Sequence, residues 1–179
     1  MPRGFKVLPA VWSMKRKRRM LTREVYKWKS RLNVGGHKQE IGINYWETYT
    51  PVVAWASIRL LLIISMLAKW HTVQVDFVMA YPQADIETDM YMDMPKGFAV
   101  DGNNASHVLR LKKNLYGQKQ AGRVWYKHLS SGLIKLNYQQ SKVDECVFYK
   151  GPNVFLFYVD DGIFLGPDRK AIDILIAEL

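Results

Sequence analysis

The sequence predicts an α+β fold, because strand-like and helix-like segments are mixed along the chain with several short turns between them. Two segments predict helices of different kinds. Residues 57–70 are apolar nearly all round, which predicts a mostly buried helix, whereas residues 120–136 carry one apolar stripe (Trp125, Leu129, Leu133 and Leu136), which predicts an amphipathic helix. A chain of 179 residues with 49% hydrophobic and 13% aromatic residues can form a real core. We therefore expect one ordinary domain or part of a larger one.

The predicted strands are short and are separated by glycine-containing or polar turns. The first two, Lys6–Trp12 and Tyr26–Val34, form a predicted hairpin with a charged tip, and Gly35-Gly36 ends the second of them. The others are Val73–Phe77, Met90–Met94, His107–Lys113, Cys146–Tyr149, Val154–Val159 and Ile163–Leu165. Loops are predicted at residues 42–51 and 95–106. Asp168 is the predicted cap of a final helix that is still running at Leu179, so we expect the domain to be truncated.

The net charge of +10 comes from the first fifth of the chain. Residues 1–38 carry 12 of the 26 Lys and Arg residues and one of the 16 acidic residues, so the remainder is close to neutral. The peak is the run Lys15, Arg16, Lys17, Arg18 and Arg19. Such a run is either a solvated surface or localisation signal, or a contact with a phosphate backbone, where clustered cations release counterions. Nucleic acid is the leading candidate partner.

Several classes of protein are disfavoured by the sequence. The single cysteine, Cys146, allows no internal disulfide and no cysteine cluster for zinc. The longest apolar run, residues 60–68, is far shorter than a bilayer span, so no membrane partner is expected. The N-terminus lacks the apolar core of a secretion signal.

Three aspartates stand at unusual positions beside apolar strands. Asp160 and Asp161 are adjacent between two apolar runs, and Asp76 ends an apolar strand. Each has an ordinary explanation, since Asp-Asp-Gly favours a hairpin turn and a strand-end aspartate can cap the next turn. If the two strands are neighbours in one sheet, the three carboxylates converge, as two-metal phosphoryl-transfer chemistry requires. Such a site would suit a polymerase or a nuclease.

The chain resembles, almost end to end, the reverse transcriptase domain of copia-type LTR retrotransposons. The resemblance rests on the order and spacing of several segments: "KVLPAVW", "YKWKSRL", "YTPVV", "IRLLL", "QVDFVMAYPQADIETDMYMDMPKGF", "LKKNLYGQKQAGRVWY", "SKVDECVFYK" and "YVDDGIFLG". Gln118 departs from the pattern, because the family usually has an apolar residue between "LYG" and "KQ".

The resemblance implies a right-hand polymerase fold of fingers and palm, with a ferredoxin-like antiparallel palm sheet backed by helices, truncated before the thumb. Residues 1–50 would be mainly the fingers hairpin and loop, and residues 51–179 mainly palm with interleaved fingers elements. Asp76, Asp160 and Asp161 would be the catalytic, metal-binding triad, with Asp76 and Asp160 as the principal ligands. Two Mg²⁺ ions, or Mn²⁺, would serve the transfer of a nucleotide from a dNTP to a primer 3′-hydroxyl.

The resemblance also implies roles for residues around the triad. Tyr81 would be the gate that excludes a ribose 2′-hydroxyl. Arg31, Lys29 and, at the start of the amphipathic helix, Gln120 would bind the dNTP. Tyr158 would pack in the palm or touch the primer end, and the run Lys15–Arg19 would contact nucleic acid.

The expected partners are an RNA or DNA primer–template, dNTPs and the remainder of a Pol polyprotein, including a thumb, RNase H and integrase. An intact element would work in cytoplasmic particles. The alternative from a different class is a catalytically inactive, nucleic-acid-binding relic of a transposon. A two-metal nuclease is a third possibility, although a nuclease has no use for a sugar gate.

Overall fold

The computed structural model describes residues 5–98 and 107–179, so most of the predicted loop at 95–106 lies outside the described residues. Helices and antiparallel strand pairs are mixed along the chain, which confirms the α+β class. The strands are β1 Val7–Leu8, β2 Ala10–Arg18, β3 Val25–Val34, β4 His71–Asp76, β5 Tyr91–Asp93, β6 Val108–Arg110, β7 Gln139–Gln140, β8 Val147–Lys150, β9 Asn153–Tyr158 and β10 Asp161–Gly166. The helices are α1 Trp55–Leu67, α2 Ala80–Gln83, α3 Ala121–Lys135 and α4 Arg169–Ala177, with a 3₁₀ turn at Gly36–Lys38.

The chain divides into two compact units. Unit A comprises Met1–Thr48 and Tyr81–Val124, and unit B comprises Tyr49–Ala80 and Trp125–Leu179. Unit A contains a three-stranded sheet in the order β1-β5-β6 and the separate hairpin β2–β3. Its core is formed by buried apolar side chains from both parts, namely Leu8, Val34, Met90, Met92 and Leu111. The base of the hairpin contributes to this core through Ala10, Leu32 and Val34.

Unit B is built on a five-stranded antiparallel sheet in the order β4-β10-β9-β8-β7. Aromatic side chains fill its interior: Phe155 stacks on Phe164 with ring centroids 4.3 Å apart, and Phe157 lies 5.9 Å from Phe155. The predicted stripe of α3 is confirmed for Trp125, Leu129 and Leu133, which are all buried, whereas Leu136 is half-buried and lies one residue past the end of the helix. This packing fixes β9 and β10, which carry the adjacent aspartates at their turn.

The helix α1 corrects one expectation. The sequence predicts a mostly buried helix, yet Ser65 is the one buried residue of α1, and Leu67 is 77% exposed. Because a helix can press only one stripe of its surface against a sheet, apolar residues on its other sides stay exposed whatever their chemistry. The Ser65 hydroxyl lies 3.1 Å from that of Thr72 on β4. Within the described residues, no helix is long and apolar enough to cross a membrane.

The hairpin β2–β3 confirms the predicted strand pair in part. The predicted strand Lys6–Trp12 is divided, because β1 (Val7–Leu8) pairs with β5 in another sheet and the hairpin strand β2 begins at Ala10. The position of the basic run also differs from the prediction. β2 continues to Arg18, so four of the five basic residues lie on the strand and not at the tip. Residues 19–24 make the turn, where the Arg19 N–H donates to the Glu24 carbonyl and the Arg23 N–H donates to the Arg19 carbonyl. The ladder extends because each pairing adds backbone hydrogen bonds, which charged side chains on an exposed strand do not prevent.

Candidate active site

The three aspartates lie at one end of the unit B sheet. β4 and β10 are antiparallel neighbours, and Asp161 is the register partner of Asp76. Asp161 is also the partner of Tyr158 on β9, so Val159 and Asp160 form a two-residue hairpin turn. The sequence predicts that these carboxylates converge if their strands are neighbours in one sheet, and β4 and β10 meet that condition.

The hydrogen-bond pattern places Asp76 and Asp161 at a position of close side-chain approach. The Phe77 N–H donates to the Asp160 carbonyl at 2.7 Å. Since hydrogen-bonded and non-hydrogen-bonded pairs alternate along an antiparallel ladder, Asp76 and Asp161 form a non-hydrogen-bonded pair, whose side chains share one face of the sheet and stand closest. Both residues are exposed. The Gln74 side-chain amide donates to Asp161 Oδ1 at 3.4 Å, while Asp160 is half-buried at the turn.

The turn between β9 and β10 has a strained backbone. Val159 has φ 57°, a conformation that a β-branched residue rarely adopts. The indole N–H of Trp125 donates to the Val159 carbonyl at 2.7 Å. Trp125 is buried on α3 and its ring contacts Phe77 with centroids 5.3 Å apart, so it holds the turn from the interior of unit B. The sequence predicts Trp125 as an anchor of the helix face, but gives no signal for this bond to the turn.

The end of the unit B sheet that carries the three aspartates offers oxygen ligands, which Mg²⁺ prefers. At sites where it acts on phosphates, Mg²⁺ usually takes one or two carboxylates from the protein and further oxygen ligands from the substrate. The Asp76–Asp161 pair fits that requirement. Over residues 5–98 and 107–179, no three His, Cys, Asp or Glu side chains are grouped so that they could hold a metal ion. The arrangement is therefore a carboxylate pair with Asp160 beside it, and not a closed three-carboxylate cluster.

The cysteine of unit B lies in a setting that suppresses its thiolate form. Cys146 is buried, and burial raises the pKa of its thiol to about 12, with Asp144 and Glu145 adding to the shift. A thiol with so high a pKa carries almost no thiolate near neutral pH. Nucleophilic chemistry at this residue is thereby disfavoured.

The residues expected to bind the dNTP belong to unit A. Tyr81 is half-buried, and its ring lies 4.8 Å from that of Tyr116. The guanidinium of Arg31 lies 5.0 Å from the centroid of the same Tyr116 ring. The structure thus brings Tyr81 and Arg31 together through Tyr116, a residue that the sequence analysis did not single out although it lies in the quoted "LYG". Tyr116 is therefore a candidate site residue that sequence reasoning did not find.

Close backbone contacts fix Tyr116 beside the hairpin. The Val34 N–H donates to the Tyr116 carbonyl at 2.9 Å. Gly117 has φ +91°, and a Cβ added there would stand 2.2 Å from the Val34 carbonyl oxygen. A Cβ on Gly36 would likewise stand 1.9 Å from the Gly117 carbonyl oxygen. Glycine is required at both positions because the end of β3 and the "LYG" segment touch through their backbones.

Gln120 and Lys29 lie in different environments. Gln120 is 4% exposed, and its side-chain carbonyl accepts a 2.9 Å hydrogen bond from the amide of Gln39. It lines a cavity of about 130 Å³ together with Arg123, which pairs with Glu47 and Glu87. Its amide is therefore part of a buried polar network. Lys29 is half-buried on β3, where its register partner is Lys15.

The basic run does not form one patch. On β2, Lys15 is paired with Lys29 and Lys17 with Lys27, whereas Arg16 is paired with Trp28 on the opposite face of the hairpin. Alternation along the strand therefore divides the run between two surfaces. In unit B, Tyr158 is 53% exposed and lies directly before the strained turn.

Comparison with known proteins gives a consistent set of relatives. Residues 1–179 match the family described as reverse transcriptase (RNA-dependent DNA polymerase). The chain is 34% identical over its full length to the retrovirus-related Pol polyprotein from transposon TNT 1-94 of Nicotiana tabacum, and spans 14% of that protein. It is 36% identical, over 79% of its length, to the Pol polyprotein from transposon RE1 of Arabidopsis thaliana, of which the match covers 10%. The transposon Ty1-GR3 Gag-Pol polyprotein of Saccharomyces cerevisiae is 32% identical over 62% of the chain and 6% of its own length. No solved structure matches the chain.

Proposed function

Because the chain belongs to the reverse transcriptase (RNA-dependent DNA polymerase) family of retrotransposon Pol polyproteins, we propose that it forms the fingers and palm of an RNA-directed DNA polymerase of the copia type. The observation that carries the proposal is the register of β4 and β10, which sets Asp76 opposite Asp161 and next to the Val159–Asp160 turn. We assign residues 1–50 mainly to the fingers and residues 51–179 mainly to the palm, with interleaved fingers elements. The rest of the Pol polyprotein, including a thumb, RNase H and integrase, would be the covalent partner.

We propose that Asp76, Asp160 and Asp161 are the catalytic carboxylates and would hold two divalent cations. Mg²⁺, or Mn²⁺, when bound there would neutralise phosphate charge and lower the pKa of the primer 3′-hydroxyl. The carboxylates supply the negative charge that brings cations to the strand end, and the strained turn fixes their direction. Most of the catalytic effect would then come from alignment and from charge stabilisation by groups already in place.

The contacts among Tyr81, Tyr116 and Arg31 in unit A support a proposal for the substrate contacts. Arg31 would contact the triphosphate of the incoming dNTP, with Lys29 and Gln120 as further candidates. Tyr81 would exclude ribonucleotides, since a rigid ring packed on Tyr116 cannot give way to a 2′-hydroxyl. Tyr158 would touch the primer end, and the residues Lys15–Arg19 would contact the primer–template.

Primer extension tests the proposed activity. The 179-residue chain is incubated with poly(rA)–oligo(dT), dTTP and Mg²⁺ or Mn²⁺, beside Asp160→Asn and a longer piece of the same polyprotein. We expect extension that Asp160→Asn abolishes. If the chain and the longer piece bind the template but neither extends the primer, the protein is the inactive, nucleic-acid-binding relic and not a polymerase.

Nucleotide selection tests the gate separately. In an active protein, Tyr81→Ala should raise the incorporation of ribonucleotides relative to dNTPs, and Tyr81→Phe should not, because the ring and not the hydroxyl fills the space. Equal sugar selectivity in wild type and Tyr81→Ala would remove Tyr81 from the site while leaving the polymerase assignment intact.

A further inference from the structure

The hairpin β2–β3 has two faces of different chemistry. On one face, which we call the lysine face, the register pairs Ser13 with Arg31, Lys15 with Lys29, and Lys17 with Lys27. On the other, which we call the Trp28 face, it pairs Trp12 with Leu32, Met14 with Ser30, and Arg16 with Trp28. The assignment of a residue to a face follows from the strict alternation of side chains along paired strands.

The lysine face brings like charges into direct opposition. Cross-strand pairs of like charge destabilise a sheet, so Lys17–Lys27 weakens the hairpin in isolation. A polyanion lying along this face removes the repulsion and gains from counterion release. The same face carries Arg31, which stacks on Tyr116. The charges of the lysine face accordingly suit a contact with phosphates.

The Trp28 face begins in the core and ends in solvent. At its base, Leu32 packs against the unit A core, and Trp12 stacks on Phe98 with centroids 6.0 Å apart and donates to the Lys96 carbonyl. Further along the strands, Met14 is 75% exposed and Trp28 is 73% exposed. The guanidinium carbon of Arg16 lies 5.6 Å from the centroid of the Trp28 ring. An indole with a cation over one side of its ring is thus largely exposed on the outer half of this face.

We propose that the Trp28 face binds unpaired bases of single-stranded nucleic acid by stacking on Trp28, while Arg16 contacts the adjoining phosphates. The inference rests on the proposed function insofar as that function makes nucleic acid the ligand. Aromatic rings among cations form a sequence-tolerant platform for bases, since every base presents a π-face. The Trp28 face is thereby a binding site distinct from the lysine face.

The charge of the hairpin argues against a second copy of the same hairpin as the occupant. Residues 1–38 carry one acidic side chain against twelve basic ones, so two hairpins docked on each other would bring cations against cations. A base stack needs no acidic partner, and the phosphates that follow it match the surrounding charge. Single-stranded nucleic acid is the occupant that satisfies both the indole and the cations.

Binding measurements on two oligomers test this inference. The affinity of the 179-residue chain is measured by fluorescence anisotropy for a single-stranded oligodeoxythymidine and for an abasic oligomer with the same number of phosphates. Trp28→Ala should weaken binding to oligodeoxythymidine by roughly 5- to 100-fold, the effect of losing one stacked base, and should leave abasic binding unchanged. Trp28→Phe should retain most of the affinity. Trp55→Ala is the matched control, because Trp55 is 72% exposed on α1 in unit B.

Salt dependence and self-association complete the test. The slope of binding against salt should be the same for wild type and Trp28→Ala, since the indole touches bases and not phosphates. Equal losses for the base-bearing and abasic oligomers, or for Trp28→Ala and Trp55→Ala, would overturn the inference. The inference would also be overturned if sedimentation showed the wild-type chain as a dimer and Trp28→Ala as a monomer, because Trp28 would then lie in a dimer interface. If the chain extends primers but Trp28→Ala leaves its binding to oligodeoxythymidine unchanged, this inference alone is overturned. If binding depends on Trp28 but no primer is extended, only the proposed catalysis is overturned.

Discussion

The two units each contain a cross-strand pair of like charges, but of opposite sign and in different settings. In unit B, Asp76 faces Asp161 at the end of a five-stranded sheet whose interior is filled with aromatic rings. In unit A, Lys17 faces Lys27 on a two-stranded hairpin whose outer half is exposed. Both pairs oppose folding. We infer that each marks a binding site for the opposite charge, cations in unit B and phosphates in unit A.

The setting decides how rigid each site is. The sheet of unit B holds its acidic pair and the strained Val159 turn because buried side chains fix the strands around them. A two-stranded hairpin is at best marginally stable without packing, so the outer half of β2–β3 is held chiefly by its own ladder. We therefore expect the acidic pair to be more rigid than the basic pair.

The largest expected effect is on activity at the acidic pair. Asp76→Asn and Asp161→Asn should each lower primer extension by about 10²–10³-fold, the range for removing one preorganised electrostatic group. Each should also raise the free energy of unfolding by about 0.2–1 kcal/mol, because the like-charge pair is removed. Rates come from single-nucleotide extension and stability from urea titration.

The control for the acidic pair is Asp93→Asn, since Asp93 is an exposed aspartate on a strand of unit A. It should change neither quantity. If Asp161→Asn extends primers at the wild-type rate while Asp160→Asn does not, the carboxylate that acts together with Asp76 is that of Asp160, at the turn, and not that of Asp161, the register partner of Asp76.

The next effect tests the scaffold beneath the acidic pair. Phe155 is fully buried, stacks on Phe164 and touches Gly162 closely enough that an added Cβ there would stand 2.7 Å from its ring. Phe155→Ala should lower the free energy of unfolding by about 3–5 kcal/mol. Phe98→Ala is the control: Phe98 is 56% exposed, and we expect a much smaller loss. Similar losses for the two variants would mean that the aromatic interior does not hold the sheet.

The sequence predicts most of the unit B site because local signals and packing agree there. Apolar strands and the α3 stripe each specify an element, and the strand order then brings Asp76 to Asp161. The expected Asp-Asp-Gly turn lies one residue earlier, at Val159–Asp160, because Asp161 and Gly162 pair with β9 as part of β10. Three features were beyond sequence reasoning. The exposure of α1 depends on how much of the helix its neighbours cover, and the bond from Trp125 to Val159 depends on three-dimensional contact. The division of the run Lys15–Arg19 between two faces becomes visible only when the strand is known to extend to Arg18.

A smaller effect concerns the link between the lysine face and the dNTP. Tyr116 contacts both Arg31 and Tyr81, so Tyr116→Leu should release both side chains. We expect the KM for dNTP to rise about tenfold, since contacts of this kind contribute roughly 0.5–2 kcal/mol. Tyr116→Phe keeps the ring and should behave as wild type. A KM unchanged in Tyr116→Leu would show that Arg31 and Tyr81 are placed by other contacts.

The smallest expected change in stability is at the basic pair, and it has the opposite sign to the change in binding. Lys17→Glu places a carboxylate opposite Lys27 and converts a repulsive pair into an attractive one. The free energy of unfolding should rise by about 0.2–1 kcal/mol. Binding to single-stranded nucleic acid should weaken, and the magnitude of the slope of log affinity against log salt should fall by about 0.7 for each phosphate that the protein no longer neutralises. Lys142→Glu, at an exposed position in unit B, controls for net charge. If Lys17→Glu gained stability and kept the wild-type salt slope, the lysine face would not be a nucleic-acid contact. Like-charge pairing would then mark a binding site in unit B alone.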